Sequence, residues 1–231
     1  MRKVGALAYP TNAQESGWMP NPLPAIYTDP ALAEYRQWLN GRFLESSASL
    51  AGSMVSDRIE DYYVDPIEIG YGGLIDWSRD FIGRDALRGR ADRQTRTKVT
   101  LEWDDGDVAD TIASSLFGGE QFGGEHRARY LALPIPVYGT YQADAVLAGG
   151  QRVGVAQWSS FSANSGHLIS TAVVDLDHAT PGTELTLLWG EPDSRRRIVD
   201  AHDVREIRVT VAPSPYFDKV VKTDQAAVDL R

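Results

Sequence analysis

The chain has 231 residues, of which 42% are hydrophobic and 24% charged, and its formal net charge is −9 at pH 7. This is the composition of an ordinary globular protein with one large domain or two small ones. The negative charge argues against a nucleic-acid partner, because binding a phosphate backbone depends on clustered Lys and Arg. Cysteine is absent, which excludes disulfides and thiolate metal sites.

Three further features bear on where the protein acts. No apolar run approaches the roughly 18 residues of a membrane-spanning helix, and we expect no signal peptide at the start. Together with the missing cysteines, this predicts a soluble cytoplasmic protein that does not bind a membrane.

The one basic cluster, Arg195–Arg197, follows a Pro-Asp-Ser run and is predicted to be a solvated hairpin tip.

The first third of the chain mixes short helical and strand patterns. Arg2–Tyr9 is predicted to be a strand, and Asn12–Pro30, rich in proline and without periodicity, an ordered loop. Asp29 and Pro30 then begin a predicted helix that ends at Asn40-Gly41, because a capping aspartate with a following proline is typical of helix starts.

The stretch Ile59–Leu87 has the clearest local signals. Asp65 is a candidate N-cap and Pro66 a candidate first helical residue, since proline's fixed φ suits that position. Glycines end this helix, Leu74–Trp77 is predicted to be a short strand, and Phe81–Leu87 begins a second helix. From these residues alone, a surface connector explains the stretch as well as a functional segment does.

A change in composition near Arg88–Arg96 predicts a domain boundary. Thr97–Trp103 alternates apolar and polar residues, the period of a half-buried strand. The next residues suit a short amphipathic helix with Val108, Ile112 and Leu116 on one face. The glycine-rich run after it follows a helix rather than a strand, so it is predicted to be a loop and not a phosphate cradle.

From Tyr130 onward the sequence is typical of a β structure, with a hairpin turn at Gly149-Gly150. Short strands with regular turn signals indicate a small antiparallel barrel or sandwich. The predicted strands are Asp144–Leu147, Arg152–Trp158, Leu168–Asp175, Glu184–Trp189 and Arg205–Ala212. The fold class is therefore α+β, with an αβ region in residues 1–92, the β domain in 93–216 and a loosely held tail in 217–231.

Local patterns leave the chemistry open. The four histidines have no i,i+4 spacing and no convergent ligands nearby, so no metal site is predicted. Aromatic and acidic residues are dense between Tyr9 and Tyr71, where aromatic planes could sandwich a flat ligand and carboxylates could accept the N–H donors of an aminopyrimidine. On composition alone, an aromatic core with surface acids is the favoured explanation.

Two segments resemble the aminomethyltransferase family, the glycine-cleavage T-protein and its relatives. Its folate-binding half closes with a Pro-x-Glu-x-Gly-x-Gly run and a Phe-Ile-Gly-Arg-x-Ala-Leu run, matched here by Pro66–Gly72 and Phe81–Leu87. Within the family, Asn12–Pro20 and Ile59–Tyr63 look most like the tetrahydrofolate-dependent aryl O-demethylases that act on vanillate and syringate. The resemblance runs from about Val4 to Tyr216 and covers only the C-terminal half of the usual family protein.

The resemblance implies tetrahydrofolate as cofactor, a small-molecule methyl donor and a C-terminal barrel domain. Tyr9 matches the proposed acid of the O-demethylases, nine residues before Trp18, and a tyrosine of reference pKa about 10 is suited to protonating a departing phenolate. Trp18, Glu15, Tyr62 and Tyr63 would bind the cofactor. A strand-end tyrosine that only packs and meets water is the alternative for Tyr9.

The family's N-terminal half, which holds much of the pterin pocket, has no counterpart in this sequence. The sequence is then either a fragment or one subunit of a split enzyme, and we expect the split arrangement, with a second polypeptide supplying the missing half. Two alternatives stay open: a non-catalytic folate-binding or scaffold module, and a demethylase of methylated amines from the same family.

Overall fold

The computed structural model describes residues 5–192, 194 and 196–217. Arg195 and the tail from residue 218 onward, for which predictions were made, lie outside these residues. The described α-helices are α1 (Ala8–Glu15), α2 (Ala33–Trp38), α3 (Leu44–Ser47), α4 (Arg84–Ala91) and α5 (Asp105–Leu116). The strands are β1 (Leu50–Ala51), β2 (Arg96–Trp103), β3 (Tyr141–Gln142), β4 (Asp144–Ala148), β5 (Gln151–Phe161), β6 (Leu168–Asp175), β7 (Glu184–Trp189) and β8 (Arg205–Ala212).

Six of the strands close into a barrel in the order β2-β6-β5-β4-β7-β8, with antiparallel pairing throughout. Closure leaves no unpaired sheet edge, which is the reason a small sheet of this kind is stable. The predicted α+β class with a small antiparallel β-barrel is confirmed. The predicted hairpin is also confirmed: Ala148 pairs with Gln151 across Gly149 and Gly150, whose positive φ angles of 55° and 81° only glycine adopts readily in such a turn.

The barrel interior is the main core, and it follows from the period-2 pattern of the strands. Alternate residues of β2 and β8 point inward, so that Leu101, Trp103 and Val209 are buried. The indoles of Trp103 and Trp189 meet edge to face at 5.8 Å, and Trp103 donates a hydrogen bond to Ser170 Oγ at 2.7 Å. The burial of both rings with their polar atoms satisfied stabilises the closed barrel.

Residues before β2 lie on the outside of the barrel. The backbone of β1 pairs in parallel with β3, and Ser53 reaches into the sheet, where its backbone N–H donates to Asp144 Oδ1 at 3.1 Å. Glu68 forms two hydrogen bonds with Arg96 at the start of β2, at 2.9 and 3.0 Å. Helices α2, α3 and α4 contain no buried residue. This region is therefore joined to the barrel by α1 and by apolar clusters as well as by these polar contacts, and not by α2, α3 or α4.

Several local predictions were wrong. The described part of Arg2–Tyr9 is a turn that leads into α1, not a strand, and α1 also takes up the start of the loop predicted from Asn12. Leu74–Trp77 forms no strand, because a 3₁₀ turn over Gly72–Leu74 leaves Leu74 facing solvent. Short apolar runs do not distinguish the two states, and tertiary contacts decide them.

Other local predictions were correct in part. Asp65 caps the backbone N–H groups of Ile67 and Glu68, but only one hydrogen-bonded turn follows before Gly70, at φ 82°, redirects the chain. The predicted helix from Asp29 is a 3₁₀ turn followed by α2, with Asp29 as its cap. The helix predicted to begin within Phe81–Leu87 is α4.

The prediction of a solvated hairpin tip for the basic cluster is wrong at Arg196. The Arg196 guanidinium pairs with the buried Glu191 at 3.1 Å and donates to the carbonyl of Tyr138 at 2.7 Å. Glu191 also pairs with Arg129. Because these contacts join two segments that lie about 60 residues apart in the chain, no local pattern predicted them.

None of the helices in the described ranges is both long and apolar enough to cross a lipid bilayer.

Candidate functional site

The most accessible aromatic pair of the predicted site is formed by Tyr9 and Trp18. Tyr9 lies in the first turn of α1 and Trp18 just beyond its end, and their rings meet edge to face with centroids 6.1 Å apart at 69°. Tyr9 is 66% exposed and Trp18 40%. The pair therefore presents a phenol hydroxyl and an indole face to whatever approaches this surface.

The opposite side of α1 is fixed to the barrel by two buried polar side chains. Gln14 Oε1 accepts hydrogen bonds from Thr171 N at 3.2 Å and Thr171 Oγ1 at 2.7 Å. Glu15 accepts from Ser162 Oγ at 2.6 Å and from Asn164 Nδ2 at 2.9 and 3.0 Å. These contacts favour one orientation of the helix, because another would leave the Glu15 carboxylate and the Gln14 carbonyl oxygen unpaired, although Gln14 Nε2 is buried without a partner among the described residues.

The turn between α1 and Trp18 is also held in place by contacts with distant residues. Gly17 adopts φ 66°, and a Cβ at this position would collide with the side chain of Ser214. Lys98 on β2 donates from Nζ to the Gly17 carbonyl at 2.5 Å and lies 5.2 Å from the centre of the Tyr71 ring. Burial lowers the pKa of Lys98 below its ordinary value. The close approach of Ser214 and the hydrogen bond from Lys98 therefore hold the backbone that leads into Trp18.

The predicted cofactor residues fall into two groups. Trp18 and Glu15 belong to the α1 region, but Glu15 is turned inward and its carboxylate is already bonded to Ser162 and Asn164. Tyr62 and Tyr63 belong to a separate apolar cluster with Met54, where the Tyr62 hydroxyl donates to the Met54 carbonyl at 2.9 Å. The structure brings Tyr9 and Trp18 into contact, whereas Glu15 faces the barrel on the other side of α1. The binding role of Trp18, Glu15, Tyr62 and Tyr63 stays a prediction.

A cleft of about 400 Å³ at one end of the barrel is lined by several acidic side chains. Two of these carboxylates already have partners: Asp104 binds Arg208 at 2.8 Å, and Asp105 meets His167 at 2.9 Å. Across residues 5–192, 194 and 196–217, no three His, Asp or Glu side chains converge as metal ligands would. The cleft therefore has weaker claims as a reaction site than the α1 surface.

Sequence reasoning missed the residues that orient the pair. Lys98 occupies a polar position of an alternating strand, which by itself indicates a solvated side chain. Gln14 and Glu15 of α1 meet Thr171 and Asn164, which lie 157 and 149 residues later in the chain, only through the folding of the barrel. The placement of Tyr9 nine residues before Trp18 was predicted from the resemblance to the O-demethylases, and only the fold shows which of the predicted site residues face the surface.

The chain is similar to two named proteins, although no protein-family model matches it. It is 38% identical over 215 residues to a syringate O-demethylase of Sphingobium sp. (strain NBRC 103272 / SYK-6), with 92% of this chain and 45% of that protein covered. It is 36% identical over 231 residues to a sesamin methylene transferase of Sinomonas sp. (strain No.22), with 94% of this chain and 48% of that protein covered. The chain thus spans about half the length of these relatives, and their names support the resemblance to aryl O-demethylases.

Proposed function

We propose that this chain is one part of a methyltransferase that removes the methyl group of an aryl methyl ether and passes it to tetrahydrofolate. The observation that carries the proposal is the exposed Tyr9–Trp18 pair on a helix fixed to the barrel, in a chain similar to a syringate O-demethylase. Tetrahydrofolate supplies a nitrogen that accepts the methyl group. The aryl ether becomes a phenol, so one proton must reach the departing oxygen.

Tyr9 is the proposed donor of that proton. Its side chain is accessible, its position is set by α1, and a phenol is a weak acid matched to the phenolate it protonates. The contacts of Gln14 and Lys98 keep the pair in place, so that alignment rather than strong acidity supplies most of the rate gain. Trp18 would lie beside the ring of the substrate or cofactor.

The fit of this chain to tetrahydrofolate is partial. The open indole of Trp18 suits a flat heteroaromatic ring, whereas the Glu15 carboxylate is bonded to Ser162 and Asn164 and faces away from the surface. A pterin's paired N–H donors would need a carboxylate or amide from elsewhere. We therefore propose that a second polypeptide, carrying the N-terminal half of the aminomethyltransferase-type fold, completes the pocket, as expected for a cytoplasmic heteromer.

The test is a reconstituted demethylation assay. The chain, the N-terminal half of the Sphingobium relative, tetrahydrofolate and syringate are mixed, and 5-methyltetrahydrofolate is measured. Tyr9→Phe should lower the rate about 10²-fold or more, since it removes only the proton donor. Tyr130→Phe, a change at another exposed tyrosine, is the control and should leave the rate unchanged. Equal rates for the wild type and Tyr9→Phe would remove Tyr9 from the mechanism.

The second relative's name favours one other candidate, transfer of a methylene group from a methylenedioxy ring. The same proton donor would serve, because the aryl oxygens again leave as phenols, and the one-carbon unit would bridge two nitrogens of tetrahydrofolate. The product separates the two: 5,10-methylenetetrahydrofolate from a methylenedioxy substrate supports transfer at the methylene level, and 5-methyltetrahydrofolate from a methoxy substrate supports demethylation.

A further inference from the structure

An exposed cluster of aromatic and apolar side chains stands on α2 and α3. We define the aromatic patch as Tyr35, Trp38, Phe43 and Leu44. Trp38 is 69% exposed and forms the centre, with its ring centroid 6.0 Å from that of Tyr35 and 5.5 Å from that of Phe43. The exposed parts of the four side chains amount to roughly 400 Å² of mostly apolar surface, the size at which a patch on a monomer is commonly a binding site.

The helices that carry the patch are attached by their polar groups and not by a core. Arg36 donates to the carbonyls of Ile26 at 2.9 Å and Asp29 at 2.8 Å, and the Tyr27 hydroxyl donates to the carbonyl of Glu45 at 2.9 Å. Because helices of four to six residues are not stable in water by themselves, and α2 and α3 contain no buried residue, these hydrogen bonds are what position the two helices. The contacts of the Trp38 ring with Tyr35 and Phe43 then keep the patch together on the surface.

We infer that the aromatic patch is the docking surface for the N-terminal half of the enzyme, the polypeptide that the proposed function requires and on which this inference therefore rests. The two relatives align with this chain over only 45% and 48% of their length, so each carries a further segment at least as large as this chain. An interface with such a segment needs a fixed apolar centre with a polar rim. Trp38 supplies that centre. The segments that carry the patch supply charged residues for a rim: Glu34, Arg36, Arg42 and Glu45.

The charges around the patch argue against a membrane as its occupant. An anionic lipid surface selects clusters of Lys and Arg, whereas the charged residues beside the patch are two acidic and two basic, in a chain of net charge −9. Charges of both signs around an apolar centre suit the surface of another polypeptide.

The test measures association of the purified chain with the N-terminal half of the Sphingobium relative by titration calorimetry. Trp38→Ser should raise the Kd at least about 30-fold, as loss of a central aromatic anchor does. Ile198→Ser, at a residue that is 79% exposed on the barrel side, is the matched control and should leave the Kd unchanged. Both variants change exposed side chains, and circular dichroism spectra equal to the wild type's establish that they fold.

The outcomes separate this inference from the proposed function. Unchanged affinity of Trp38→Ser with normal demethylation overturns the patch and leaves the proposed function standing. A wild-type chain that neither binds the N-terminal half nor demethylates with it overturns both. An isolated chain that is dimeric and becomes monomeric with Trp38→Ser, or that binds phosphatidylglycerol vesicles only with Trp38 intact, assigns the patch to another occupant and overturns the inference.

Discussion

Asp144 offers the sharpest test of the packing, because its carboxyl is fully buried between β4 and the segment that follows β1. Oδ1 accepts from the backbone N–H of Ser53 at 3.1 Å and Oδ2 from the side-chain amide of Gln142 at 2.9 Å. Burial raises the pKa of Asp144 to about 7, against the opposing effects of these hydrogen bonds and of the Arg129 charge. The group should therefore titrate near neutral pH in the folded protein.

The raised pKa of Asp144 makes the free energy of unfolding change with pH in a defined direction. An aspartate in the unfolded chain has a pKa near 3.9, so between about pH 4 and pH 7 the folded protein holds one proton more than the unfolded chain. Each pH unit in that window should lower the free energy of unfolding by up to about 1.4 kcal/mol, about 4 kcal/mol in all. The protein loses this stability as the pH rises and keeps it below pH 4.

Asp144→Asn removes the titration while keeping the volume of the side chain. Its amide would face the Gln142 amide, so we expect the loss of one hydrogen bond, about 1 kcal/mol. The variant should be slightly less stable than the wild type at pH 4.5 and about 3 kcal/mol more stable at pH 8. Urea unfolding followed by tryptophan fluorescence measures both, with Asp177→Asn, at an exposed position, as the control for a lost charge. A difference between wild type and Asp144→Asn that stays constant from pH 4.5 to 8 would refute the reasoning.

Two further stability predictions rest on contacts of the barrel. Glu68→Ala should lower the free energy of unfolding by about 3 kcal/mol, since it leaves the half-buried Arg96 guanidinium without its two-bonded partner, whereas Asp80→Ala, in a solvated ion pair, should cost less than about 0.5 kcal/mol. Trp189→Phe should cost about 2 kcal/mol through a cavity and a lost indole hydrogen bond, and Trp38→Phe on the surface should cost almost nothing. Urea midpoints measure all four, and equal midpoints within either pair would contradict the corresponding assignment.

The family-like residues of the Ile59–Leu87 stretch also make structural contacts. Asp65 and Glu68 cap one another's backbone N–H groups, and Glu68 then reaches Arg96 at the first residue of the barrel. Gly70 turns the chain away at positive φ. The Pro66–Gly72 run, which resembles part of the folate-binding half of the family, therefore also joins the residues before the barrel to β2. The same residues carry the resemblance and the packing contacts.

The sequence by itself predicted the strands of the β domain, whereas their closure into a barrel rather than a sandwich was decided by the tertiary structure. Alternation of apolar and polar residues at period 2 marks β2, and strand-length runs between turn residues mark β4 to β8. The same holds for α5, whose apolar spacing and Asp104 cap are local. A hydrophobic period that repeats over a long segment predicts the secondary structure correctly even where distant contacts also act on that segment.

Only tertiary contacts decided whether the region that carries Tyr9 forms a strand or a helix. Its few apolar residues fit a strand as well as a helix, and α1 forms because Gln14 and Glu15 find partners at Thr171 and Ser162, some 150 residues away. The sequence paired Tyr9 with Trp18, but it could not tell which acidic side chains face outward, since Glu15 turns in towards Asn164. Buried polar contacts between distant residues have no period, which is the reason a pattern in the sequence does not reveal them.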